Sequence, residues 1–125
     1  MRLSESSFQE IKALIIEALN EFRRPSEQAV VTDIHIMPIR ETGDVTVSDD
    51  DRDLATTRLS DLVEIPEEDF YQVMEKALRR ILKDIDAEQP LENLAIWKPF
   101  SFVLVDDDRE TVAELICCMS ALTFS

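Results

Sequence analysis

The chain has a single glycine, Gly43, in 125 residues. Phosphate cradles of the P-loop and dinucleotide-binding kinds need several, because backbone amides must approach the phosphate more closely than a Cβ permits. Nucleotide-dependent chemistry has no cradle here. Histidine is equally scarce: His35 stands alone, with no attached motif to make it a general base or a metal ligand. The two cysteines, Cys117 and Cys118, are adjacent. Neighbouring strand residues point to opposite faces, so these two form no metal pincer, and they make neither a disulfide framework nor a Cys-x-x-Cys pair. No catalytic, cofactor-binding or metal-ligating motif emerges, and no cofactor is expected.

Bases are in deficit as well: 13 Lys and Arg against 27 Asp and Glu give a formal charge of −14. A field of that sign repels phosphate backbones and anionic bilayers, so neither nucleic acid nor a membrane is an expected partner. No run of about 18 uncharged apolar residues is present, and the N-terminal stretch has no apolar core of the signal-peptide kind. A cytoplasmic location is the expectation.

What is present suits a folded protein. Hydrophobic residues make up 45% and charged residues 32% of the chain, which fits one domain over residues 1–125 with its own core. Phe8, Ile11, Ile15, Ala18, Leu19 and Phe22 recur at the spacing of one helical face, and Ser7 to Glu10 reads as a capping box opening that helix. Pro25 is expected to stop it. A second helix follows Pro66, with Glu67, Glu68 and Asp69 at its positive end. Its stripe runs Phe70, Val73, Met74, Ala77, Leu78, Ile81, Leu82, Ile85, and Lys76, Arg79, Arg80 and Lys83 lie off that stripe.

Between the helices the period falls toward two. Thr32 to Ile36 and Val45 to Ser48 alternate as half-buried strands do, with Glu41 to Asp44 as the turn between them. Leu54–Leu59, Leu91–Trp97, Phe100–Val105 and Thr111–Met119 complete a set of five to six strands. The fold class read from this is α+β: an antiparallel sheet with two long helices packed on one face. The halves also look alike. Phe8 matches Phe70, Glu27-Gln28 matches Glu88-Gln89, Pro38 matches Pro99, and Val47 to Asp53 resembles Val105 to Glu110. These matches suggest a tandem helix-plus-strands duplication, about 6–60 and 66–120, with pseudo-twofold symmetry.

The candidate site residues are acidic. Asp49, Asp50, Asp51 and Asp53 in one predicted turn, and Asp106, Asp107 and Asp108 in another, form a candidate contact surface. Residues 49 to 69 hold nine acids against Arg52 and Arg58. Neither cluster follows the Asp-x-Asp-x-Asp-Gly spacing of a calcium loop. Trp97-Lys98-Pro99-Phe100 is expected to serve the core, and the nearly uncharged Leu115 to Phe124 is expected either inside the fold or in a homodimer contact. In size, acidity and layout the chain resembles type III secretion chaperones and small bacterial immunity proteins. The functional expectation is a non-enzymatic acidic module that binds another protein, a basic one by charge, as an adaptor, chaperone-like or inhibitor-like protein. The alternatives are a small cation-binding or enzymatic domain using the Asp-rich turns, and a structural dimerising domain.

Overall fold

A computed structural model describes residues 3–23, 29–97 and 99–118, and the chain is α+β. Helix α1 (Glu5–Leu19) ends in a 3₁₀ turn at Asn20–Phe22 and leads to strands β1 (Ile34–Ile39), β2 (Asp44–Ser48) and β3 (Asp53–Arg58). A short helix α2 (Ser60–Val63) and a 3₁₀ turn at Glu67–Asp69 precede α3 (Phe70–Glu88). A 3₁₀ turn at Leu91–Asn93 and strands β4 (Phe100–Val105) and β5 (Thr111–Cys118) follow. The expected stop at Pro25, the Glu27-Gln28 match, Lys98, the side chains of Cys117 and Cys118, and residues 119–125 lie outside the described residues.

The start of α1 differs from the expected capping box. Ser4 is the N-cap and accepts from the Ser7 amide at 3.2 Å, so the helix begins three residues earlier. Ser7 is buried, and its hydroxyl donates to Asp61 Oδ2 at 2.8 Å; the Ser4 hydroxyl donates to the same oxygen. These two donors, Ser4 first, hold the Asp61 carboxyl below the 3.8 of a free aspartic side chain. A folded-state pKa below the unfolded one means stability that is complete above pH 3.8 and is lost as the pH falls below it. Asp61→Asn is therefore expected to lower the melting temperature at neutral pH, with the gap to wild type closing in acid. An equal gap at both pH values would sink this reading.

Of the predicted α3 stripe, Phe70, Met74, Leu78, Ile81, Leu82 and Ile85 are buried, while Val73 and Ala77 are half-buried at its edge. The first turn is 3₁₀, however, and Pro66 precedes it as cap. Gly43 closes the β1–β2 turn with φ of +81°, the left-handed region that side chains disfavour.

The sheet is mixed, with strand order β3-β2-β1-β4-β5, and this corrects the antiparallel expectation. β1 and β4 run parallel at its centre, with Ile34 beside Phe102 and Ile36 beside Leu104; the other pairs are antiparallel. Parallel neighbours need a long crossover, and α2 with α3 supplies it between β3 and β4. The strand predicted at Leu91–Trp97 is instead a 3₁₀ turn plus one bridge, Val30 with Ile96. Leu91, Leu94 and Ile96 are buried, but Trp97 is 62% exposed, so the core role expected for it is not observed.

Ile34, Ile36, Val45, Val47, Phe102 and Leu104 join both helices in one core cluster. α1 covers β2 and β3, while α3 covers β5. The two helices run in the same sense, because Arg80 lies over Phe8 and Lys12 meets Glu88 further along both. The hairpins β2–β3 and β4–β5 flank β1 in opposite senses. No single twofold axis relates both hairpins and helices, so the expected pseudo-twofold does not extend over the halves.

Candidate functional site

The two acidic turns are built alike. Asp49 Oδ1 accepts from the amides of Asp51 and Arg52, each at 2.8 Å, and Asp106 Oδ1 accepts from those of Asp108 and Glu110, each at 2.9 Å. Each cluster thus spends its first carboxylate on holding its own turn. Arg109, at φ 66°, completes the second turn and reaches Asp53 at 3.4 Å. Asp50 meets His35 Nε2 at 2.7 Å. Asp51, Asp107 and Asp108 remain exposed to solvent.

Topology separates the two turns. One lies where β1 and β4 begin, the other where they end, and the Arg109–Asp53 ion pair links the two. The carboxylates of Asp106, Asp107 and Asp108 do gather within 4.8 Å of one another. Nearby, burial pushes the Tyr71 phenol up, and the negative charges of Asp106, Asp107, Glu41 and Asp108 push it further.

His35 pairs in register with Ser48 on the sheet face opposite the helices, which places a serine, a histidine and Asp50 in one neighbourhood. The serine is 1% exposed and its hydroxyl has no hydrogen-bond partner, so the imidazole neither activates it nor could a substrate reach it.

The third feature was not singled out from sequence. Where α1 and α3 lie side by side, a groove of about 580 Å³ opens on the outside of the helical layer. Leu3, Phe8, Val73 and Ala77 make its apolar floor, Lys76 and Arg80 line its rim, and Asp69 and Gln72 close one end. The Arg80 guanidinium carbon sits 4.9 Å from the centre of the Phe8 ring, within cation–π range. The floor is apolar because Phe8 is the first residue of the α1 stripe, and one edge of the α3 stripe, Val73 and Ala77, turns outward to meet it.

The charge state of that rim is unusual for so acidic a chain. Among the described residues, Lys12, Arg52, Arg58, Arg79 and Arg109 each face a carboxylate, while Arg23 and Arg40 donate to backbone carbonyls. Lys76, Arg80 and Lys83 do neither, and all three are exposed. Their spacing of four and then three residues puts them on one side of α3. That spacing was the available signal, but the apolar partner across the groove comes from a helix some 70 residues earlier in the chain. Among the described residues no helix is long and apolar enough to cross a membrane. Compared with protein-family models, curated proteins and solved structures, the chain matches none.

Proposed function

We propose that this chain is a non-enzymatic protein-binding module and that the α1–α3 groove is its binding surface. The observation that carries the reading is the unpaired row Lys76, Arg80, Lys83 beside an apolar floor in which Leu3, Val73 and Ala77 are half-buried and Phe8 is buried. Apolar surface next to uncompensated charge is what an interface offers: area to bury at its centre and a charged rim to orient the partner.

Capture of binding proteins from the native cell tests this, with wild type compared against two variants. Loss of the captured protein with Lys76→Glu/Lys83→Glu, and its retention when Asp50, Asp51, Asp107 and Asp108 are changed to Asn, is the expected result. The reverse pattern would support a second reading, an acidic contact surface for a basic partner, which the exposed Asp51, Asp107 and Asp108 favour. Under either reading, calcium or magnesium leaves the melting temperature unchanged; a rise would bring forward a cation site at Asp106 to Asp108. We also propose that the internal repeat is confined to the two hairpins, whose turns are closed by equivalent bonds at Asp49 and Asp106.

A further inference from the structure

The groove has a shape and a charge, and together they specify an occupant. Two helices packed side by side over a sheet leave an outer valley, and a third helix can lie in it at the roughly 10 Å spacing of packed helices. The floor residues Leu3, Phe8, Val73 and Ala77 offer apolar contact along that valley. Along one bank, Lys76, Arg80 and Lys83 follow each other at one helical turn per step. A carboxylate row with the same period on an incoming helix would meet all three.

Resting on the reading of the groove as the binding surface, we infer that the partner segment is an amphipathic helix with an acidic flank. Its apolar stripe covers Phe8 and Val73, and its Asp or Glu side chains, spaced i, i+4, i+7, pair with Lys76, Arg80 and Lys83. The formal charge of −14 does not forbid this. Charges further off than about 8 Å are largely screened at physiological ionic strength, so Lys76, Arg80 and Lys83, against the one lining carboxylate Asp69, decide the local sign.

The same charge separates a helix from an anionic bilayer. A helix is about 10 Å wide and touches only the groove and its bank. A flat membrane would also meet Glu67 and Glu68 at one end of α3 and Glu88 at the other, all exposed. Arg80 gains doubly from a helical partner: desolvation under the incoming apolar stripe strengthens its contact with the Phe8 ring while a carboxylate takes its outer donors.

The test uses the full chain, isotopically labelled, and a synthetic peptide with leucines along one helical stripe and glutamates at i, i+4, i+7 beside it. A control peptide carries lysine in place of glutamate. Vesicles of phosphatidylcholine with phosphatidylserine are tested in parallel. The expected result is that the acidic peptide shifts backbone resonances of Phe8, Val73, Lys76, Ala77 and Arg80. Its affinity is expected to fall about tenfold or more in Lys76→Glu/Lys83→Glu, a change of about 1.4 kcal/mol or more. Ala77→Trp, which fills the floor without altering charge, is expected to weaken it too. Both variants alter side chains at the surface, and an unchanged melting temperature confirms that they fold.

Equal binding of the lysine peptide, shifts confined to another surface, or vesicle binding that the double variant abolishes would each overturn the inference. Failure here is distinguishable from failure of the functional reading. A native partner that needs the groove but contacts it through a basic or non-helical segment overturns the acidic helix alone. Capture of that partner unaffected by every groove variant overturns the site itself.

Discussion

Replacing Gly43 by alanine is expected to destabilise the protein by about 2–4 kcal/mol, a large part of what a domain of this size has to lose. Two effects combine at that position. Backbone at φ +81° is strained for any residue with a Cβ, which alone costs about 1–2 kcal/mol. In addition, a Cβ placed there would lie 2.3 Å from the backbone carbonyl oxygen of Leu59. That oxygen belongs to main chain and cannot swing aside as a side chain would. Nor can the turn yield cheaply, because the Gly43 amide donates to Ile39 and its carbonyl accepts from Leu59, both at 2.8 Å. Urea denaturation should show a lower midpoint with an unchanged slope. A loss under about 0.5 kcal/mol would mean that the β1–β2 turn relaxes freely and that its geometry is not fixed by Leu59.

Phe102→Ala should cost about 3–5 kcal/mol, the largest single effect expected from a core position. Phe102 is fully buried at the centre of the sheet, beside Ile34 across the parallel seam and 5.8 Å from the Phe100 ring. Removing it leaves a void in the core cluster between sheet and helices, which neighbouring side chains fill only in part. Phe102→Leu keeps most of the volume and is expected to stay within about 1.5 kcal/mol. Should alanine and leucine prove equally mild, the seam is looser than its burial indicates. Trp97, in contrast, is mostly exposed, so its loss should barely alter stability.

Much of the architecture could be read from local pattern. The α3 stripe was legible because amphipathic period and first-turn acids agree, and the β1–β2 turn was legible because Gly43 is the residue such a turn requires. The parallel pairing of β1 with β4 was not. Alternation of Ile34 and Ile36 reports which face is buried, and it reads the same whichever way the neighbour runs. Leu91, Leu94 and Ile96 imitate a strand because three apolar residues in six satisfy a 3₁₀ turn and a bridge equally well. The cap of α1 was misplaced by one helical turn: Ser4 and Ser7 are both suitable, and the choice depends on Asp61, which only tertiary structure brings within reach.

The candidate site divides along the same line. The aspartates of the two turns were visible as clusters, yet Asp49 and Asp106 are taken up by their own turns and Asp50 and Asp53 by His35 and Arg109. The row Lys76, Arg80, Lys83 was visible as off-stripe charge. Its meaning depends on what faces it and on what fails to neutralise it, and neither is a property of α3 taken alone.

The parallel seam bears on how the molecule is assembled. Its two strands come from opposite halves of the chain, and they are the middle of the sheet, not its margin. Each hairpin is a local unit, but the edge it presents stays unsatisfied until β4 has been made and docked against β1. Synthesis must therefore be nearly complete before the core can close, and a chain interrupted after α3 carries an open, apolar strand that invites aggregation. The same division marks a natural cut: two fragments separated between α3 and β4 should each be unstructured by themselves, yet recover the fold on mixing, with β1 and β4 as the surfaces that recognise each other.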